Sequence, residues 1–465
     1  MTEGALGASF RDPSGFIFEQ DGTIYRQVNR VYAEDYDRLM SSGLYVELVD
    51  RGLLLPHEEV PSPLPDTGGA YRTLRPERIG FISYPYEWCF SQLKDAALTT
   101  LRVQRTALRH DMILKDASAY NVQFVRGRPM FIDTLSFARY EEGTPWVGYR
   151  QFCQHFLAPL ALVAHRDARL LQLLRVHMDG IPLDLARALL PLRAWLNPHL
   201  LLHIRFHAGY QRRYAGDTEA ASKVRRMSKQ SLANVVKALE SATKKLQWKA
   251  EGTEWAEYYG GSSYEEGAAA HKRAVVAEYL DEIAPSEVWD LGANTGVFSR
   301  IAAGRGIETL AFDVDPACVD RNYRQVRKDG ETRLLPLLLD LTSPSPALGW
   351  AIEERDSIVD RSSADAAMAL ALIHHLAISN NVPLGRIAAF LARLAGDLIV
   401  EFVPKSDPKV AVLLATREDV FPDYTEAGFE AAFGAIFEIE RKTRLEGSER
   451  TLYRMRRRAP PTSPA

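Results

Sequence analysis

In the stretch VWDLGANTGVFSR, residues 288–300, an apolar run ends at Asp290 and Leu291, and a turn bearing Gly292 and Gly296 opens a helical pattern. Small residues at a strand-to-helix turn let ligand atoms approach the backbone, as a nucleotide-type site requires. The spacing is Gly-Ala-Asn-Thr-Gly, not the GxGxxG that seats a pyrophosphate on a helix N-terminus. Asp290 adds negative charge beside the turn, which disfavours phosphate and welcomes an ammonium group. About twenty residues further on, AFDVDP ends a second apolar run at Asp313, where an acidic side chain can accept both hydroxyls of a ribose. A third run, LLLDLTSPSPALGW, ends at Asp340, in position to accept a hydrogen bond from an adenine amino group. Singly, Asp313 or Asp340 reads equally well as a helix cap. Acidic ends on successive strands around one crevice point to a nucleoside.

Beyond a fourth apolar run comes ALIHHLAISNNVPL, with His374 and His375 where a substrate would lie. A histidine there can take the proton of a reacting group near neutral pH. Glu401, in IVEFVPKSDP, ends a fifth run and is read either as a substrate contact or as a structural carboxylate.

The elements that must hold these residues follow from the patterning. From about residue 250 to 457, the apolar, β-rich runs EVWDL, TLAFDV, RLLPLLLDL, AAMALALI and DLIVEFV alternate with helical segments such as PACVDRNYRQVRK and LGRIAAFLARLAG. Continuous apolar strands alternating with helices predict a mostly parallel sheet covered on both faces. The last two runs, IFEIERKT and TLYRMRR, flank a short turn and suit an antiparallel hairpin at one edge. In the first half, GFIFEQ and TIYRQV flank Asp21-Gly22 and predict a hairpin, and VQFV and MFID predict a second around Arg126-Gly127. A long amphipathic helix is expected over WCFSQLKDAALTTLRVQRTALRH, and helices again from about 150 to 210. We therefore expect an α+β domain over 1–210, a basic helical linker over 211–250, an α/β domain over 251–457 and a disordered tail over 458–465.

The second half, over about 255–457, resembles the class I S-adenosylmethionine-dependent methyltransferases through DLGANTG, the acidic ends FDVD and LLLDL, and the terminal hairpin. The resemblance implies a Rossmann-like seven-stranded sheet with an antiparallel edge strand. It implies S-adenosyl-L-methionine as cofactor, with Asp290, Gly292, Asn294 and Gly296 around its methionine moiety, Asp313 on the ribose and Asp340 near adenine. WAEYYGGSSY, residues 255–264, is similar to the aromatic lid that often precedes such a domain, and reads equally as packing against the sheet. His374, His375 and Glu401 become the candidates for catalysis, although many enzymes of this fold work chiefly by aligning acceptor and sulfonium.

The first half carries a second resemblance. In LKDASAYNVQFVRGRPMFIDTLSF, Asp116 is followed five positions later by Asn121, and Asp133 ends the next hairpin strand. This spacing resembles the catalytic loop and metal-binding aspartate of protein-kinase-like and aminoglycoside-phosphotransferase-like folds. The sequence departs from them: Leu114 stands where a histidine is usual, a Gly-rich phosphate loop is missing, and Arg26 stands in for the strand lysine. The resemblance implies a kinase-like fold used to recognise the acceptor or a partner. No metal is expected of the chain.

With 465 residues the chain exceeds what one core usually organises. Hydrophobic residues at 46%, charged residues at 25% and a formal net charge of -3 fit a soluble protein without a global field for nucleic acid or anionic membranes. Cys89, Cys153 and Cys318 lie far apart and form no metal-ligand pattern, so reduced thiols and a cytoplasmic location are expected. The start has no secretory pattern, and the apolar runs at 156–164 and 366–373 are shorter than the roughly 18–20 residues a spanning helix needs. LIHH stands where a planar-nitrogen methyltransferase carries NPPY, so a small molecule, glycan or protein acceptor is favoured over nucleic acid. The competing readings are a nicotinamide or flavin oxidoreductase, disfavoured by the missing GxGxxG, a bifunctional kinase–methyltransferase, disfavoured by the missing lysine, and a non-catalytic binding protein.

Overall fold

The computed structural model describes residues 5–64, 69–206, 227–250, 266–415 and 418–459. The expected lid at 255–264, most of the linker's first half and the last residues of the tail lie outside them. Contacts divide the chain into two units, Met1–Lys249 with Ala347–Arg355, and Ala250–Pro346 with Asp356–Ala465.

The first unit opens with an antiparallel sheet of β1 (Gly15–Gln20), β2 (Thr23–Asn29), β3 (His57–Val60) and β4 (Ala70–Pro76), in the order β1-β2-β4-β3. Gln20 pairs with Thr23, so the turn is the two residues Asp21 and Gly22, at φ 50° and 73°. Positive φ at both positions matches the right-handed twist of the flanking strands. The helix Phe90–Arg109 follows, with Leu93, Ala97, Leu101 and Leu108 all buried. Then come β5 (Met112–Leu114), the hairpin of β6 (Val122–Val125) and β7 (Arg128–Phe131), and β8 (Phe137–Arg139), which pairs with β5. Short helices occupy Tyr149–Phe152 through Leu201–Phe206. The basic segment forms a helix over Lys229–Lys245 that buries Leu232, Val236 and Leu239, while Arg105 reaches Glu240 at 2.8 Å.

Residues Ala347–Arg355 belong to this unit although they lie between two strands of the other unit's sheet. Glu354 Oε1 accepts from Arg11 Nε at 2.8 Å, and the Arg355 guanidinium lies 4.3 Å from the centroid of the Tyr120 ring.

The second unit is built on β9 (Glu287–Leu291), β10 (Glu308–Asp313), β11 (Leu334–Leu338), β12 (Ala364–Ala369), β13 (Ala395–Phe402), β14 (Phe437–Arg444) and β15 (Thr451–Arg457). They form one seven-stranded sheet in the order β11-β10-β9-β12-β13-β15-β14. The first five pair in parallel, and β15 is antiparallel to both of its neighbours. The terminal hairpin thus lies at one edge with its antiparallel member second from the rim. Burial explains this order: Thr451 through Met455 are buried, whereas β14 carries Glu438, Glu440, Arg441 and Lys442 and suits a rim exposed to water. Val288, Trp289, Ala366 through Ala369 and Leu398 through Val400 are fully buried, as a sheet covered on both faces demands. Parallel strands end on the same side of the sheet, so the termini of β9, β10 and β12 are brought to one end.

Candidate active site

The turn after β9 is tied to β10, because Gly292 and Ala293 both donate N–H to the Phe312 carbonyl, at 2.8 and 2.9 Å. Gly292, Asn294 and Gly296 have φ of 77°, 51° and 80°, a sequence of left-handed conformations that glycine and asparagine adopt most readily. At Gly296 a Cβ would come within 2.5 Å of Asn322 Nδ2 and 2.7 Å of Arg300 Nη1, so any other residue would push those side chains aside as well as straining the backbone. Arg300 braces the turn: its Nη1 donates to the Thr295 carbonyl at 2.8 Å, and its Nε pairs with Glu331 at 2.8 Å.

Asp290 and Asp313 are both buried. Ser299 Oγ donates to Asp290 Oδ2 at 2.6 Å. Burial pushes the Asp290 carboxyl up to about 6 against that hydrogen bond, and the nearby Asp313 charge adds to the rise. Asp313 Oδ2 accepts from Asn294 N–H at 2.7 Å and Oδ1 from Asp315 N–H at 2.8 Å, which locks the acid to the turn. Burial raises Asp313 to about 6, opposed by these hydrogen bonds. The Val314 N–H adds a third backbone contact to this carboxylate. Asp340 is exposed and uses one oxygen, Oδ1, to accept both Thr342 N–H and Thr342 Oγ1, at 2.8 and 2.6 Å.

His374 and His375 follow β12 with ring centroids 4.0 Å apart. His374 is buried, and its Nδ1 has no hydrogen-bond partner among the described residues. Burial, then His375, Arg450 and Lys272, hold His374 well below the usual imidazole range, and burial with Arg450 lowers His375 to about 4. Glu401, on β13, is fully buried, with Lys272 Nζ at 2.6 Å and Arg450 Nη1 at 3.6 Å. Arg450 in turn pairs with Asp407 at 2.6 Å, and Lys272 Nζ lies 4.7 Å from the Phe298 ring centroid. Lys272, Arg450, Asp407 and Ser299 were not singled out by sequence. Lys272 lies 129 residues from Glu401, and no local pattern signals such a pair. Asp315, which caps the helix Pro316–Asp329 by accepting Ala317 N–H at 2.8 Å, was visible only as the second acid of FDVDP.

In the first unit, Asp116, Asn121 and Asp133 come together. Asn121 Nδ2 donates to Ser136 Oγ at 3.1 Å, and Ser136 Oγ donates to Asp133. Burial, then the Asp133 charge, raises Asp116, while hydrogen bonds from Ser118, Asn121 and Gln151 oppose the rise. Asp133 is held by Arg26 Nη2 at 2.5 Å and by Leu135 N–H at 3.1 Å. Among the described residues no group of three or more His, Cys, Asp or Glu side chains is arranged to hold a metal. All three cysteines are buried thiols, and no helix among the described residues is long and apolar enough to cross a membrane.

A seven-stranded sheet with one antiparallel strand, a Gly-bearing turn after its first strand, Asp313 at the end of the next and Asp340 two residues past the third are the features that the resemblance to class I methyltransferases implies for the second unit. No family model matches the chain. It is 36% identical to nodulation protein NoeA of Rhizobium meliloti (strain 1021) over 464 residues, 98% of this chain and 96% of that one, and it belongs to the NoeA family. Among solved structures it is similar to magnesium protoporphyrin IX methyltransferase (ChlM) from Synechocystis PCC 6803 with bound SAH, at 18% identity and a TM-score of 0.32, over 44% of this chain and 93% of that one. It is similar to the methyltransferase domain of a bacterial Hen1 at 16% identity and a TM-score of 0.29, over 41% of this chain and 99% of that one. To WbdD the likeness is 14% identity and a TM-score of 0.32, over 45% of this chain but only 43% of that one.

Proposed function

We propose that the second unit transfers a methyl group from S-adenosylmethionine to an acceptor recognised with the help of the first unit. The observation that carries this reading is Asp313, a buried carboxylate at the end of β10 that the Asn294 N–H fastens to the Gly292–Gly296 turn. That arrangement fits a vicinal diol. Asp340, with Oδ1 occupied by Thr342, keeps Oδ2 for an exocyclic amine. Around the turn, Asp290 contributes negative charge that suits an ammonium group, and the backbone of Gly292, Asn294 and Gly296 admits close approach. When bound, S-adenosylmethionine supplies an electrophilic methyl group on a sulfonium.

The chain's own part is to align the acceptor and to manage its proton. His374 and His375 are neutral at pH 7, since burial and Arg450 lower both, and a neutral imidazole nitrogen can receive the proton the acceptor loses. Glu401 is neutralised by Lys272 and Arg450, which makes it the anchor of the site's floor in this reading. The acceptor we favour is a small molecule, a glycan or a protein.

Calorimetric titration of the full chain tests the reading: S-adenosylmethionine and S-adenosylhomocysteine are expected to bind, and failure of both overturns it. The same titration should depend on pH. Asp313 is raised to about 6, so in the ligand-free chain it carries a proton below that pH and is a carboxylate above it. Ribose hydroxyls need the carboxylate, so binding must expel the proton, and affinity should fall by about tenfold per unit below pH 6. An affinity constant between pH 7 and 5 would remove Asp313 from the ribose.

A further inference from the structure

A cleft of about 750 Å³ in the first unit has Lys115, Arg150, Gln151, Gln154, His177 and Asp179 among its lining residues. Its volume falls within the range of roughly 300–1,000 Å³ typical of small-molecule sites. Two of its side chains are basic and pair with no acidic side chain among the described residues. Arg150 is exposed, and its guanidinium makes no hydrogen bond or ion pair among the described residues. Lys115 Nζ donates to Ser14 Oγ at 2.7 Å and lies 4.5 Å from the Tyr32 ring centroid, contacts that hold the ammonium in place without neutralising it. Among the described residues, the one carboxylate in the lining is Asp179, which is exposed.

The walls are preformed. Ile181 N–H donates to the Gln154 carbonyl at 3.0 Å, joining the two segments. Gly180, at φ 89°, lies where a Cβ would come within 2.7 Å of Gln154 Cβ. Gln151 Oε1 accepts from Ala117 N–H at 2.6 Å and so fixes one wall to the loop that carries Asp116. The Gln154 amide, half-buried and with no recorded side-chain hydrogen bond among the described residues, offers both a donor and an acceptor. Valine, methionine and proline side chains complete the lining with apolar surface.

We propose that this cleft binds a hydroxyl-bearing small molecule carrying a phosphate or carboxylate group, with Arg150 and Lys115 on the anion, Gln154 on a hydroxyl and the apolar wall against its carbon skeleton. All the lining residues belong to the first unit, so the proposal does not rest on methyl transfer by the second. Glucose 6-phosphate, glucuronate and glucose, titrated separately into the full chain, test it. One of the two charged sugars should bind about tenfold or more tighter than glucose, weakening as salt rises, and which one binds identifies the anion. Arg150→Gln and Arg150→Glu, at an exposed position without recorded partners, should fold normally and remove that preference, as should Lys115→Gln. Absence of binding by both charged sugars up to about 10 mM overturns the proposal, as does equal affinity for charged and uncharged sugars. Undiminished binding by all three variants also overturns it.

Discussion

Asp313→Ala is expected to weaken binding of S-adenosylmethionine by about a hundredfold or more. Two hydrogen bonds to an ionised carboxylate would be lost, each worth about 1.5–3 kcal/mol, or roughly 3–6 kcal/mol together. The same change releases the Asn294 N–H that fastens the turn to β10, so loss of order in the turn adds to the effect. Calorimetry on the variant, with circular dichroism to show that the sheet is intact, measures it. A folded variant with unchanged affinity would contradict the assignment of Asp313 to the ribose.

Lys272→Met is expected to lower the stability of the second unit by about 3 kcal/mol, near the lower end of the cost of breaking a buried ion pair. Glu401 is fully buried, and removing its 2.6 Å partner takes away the nearest cation, while Arg450, at 3.6 Å, is already engaged by Asp407. For a unit of this size the melting temperature should fall by about 6–12 °C. The double variant Lys272→Met with Glu401→Leu removes both charges and should recover most of the loss. If the single variant melts like the parent chain, the pair contributes nothing to stability. If the double variant is worse than the single, Glu401 is needed for its pairing with Arg450.

What the sequence revealed and what it concealed divide along physical lines. Parallel strands buried on both faces read as continuous apolar runs, so the order of elements around EVWDL, TLAFDV and DLIVEFV was legible. The Asp21-Gly22 and Arg126-Gly127 turns were legible because each places two residues at positive φ, which restricts the residue types that fit. The acids at 290, 313 and 340 were legible because each lies at or within two residues of its strand's end, and strand ends in a parallel sheet share one side. Partners distant in sequence were concealed: Lys272 for Glu401, Arg26 for Asp133, and Arg11 for Glu354. So was the position of β15 between β13 and β14, since a hairpin's sequence states its pairing but not which member faces the sheet. The charges on β14 hold that information once an edge is known to need them.

The return of Ala347–Arg355 to the first unit bears on how the chain is made. Synthesis runs from N- to C-terminus, and Glu354 emerges 343 residues after Arg11, the side chain it pairs with. When Lys249 has been added, the first unit still lacks the segment that packs on Arg11 and Tyr120. At roughly 5–20 residues per second the wait for it is on the order of 5–20 s. During that interval the nascent first unit carries an unfilled seat. No single cut of the gene separates the two units cleanly, because a break after residue 249 takes that segment away with the other half.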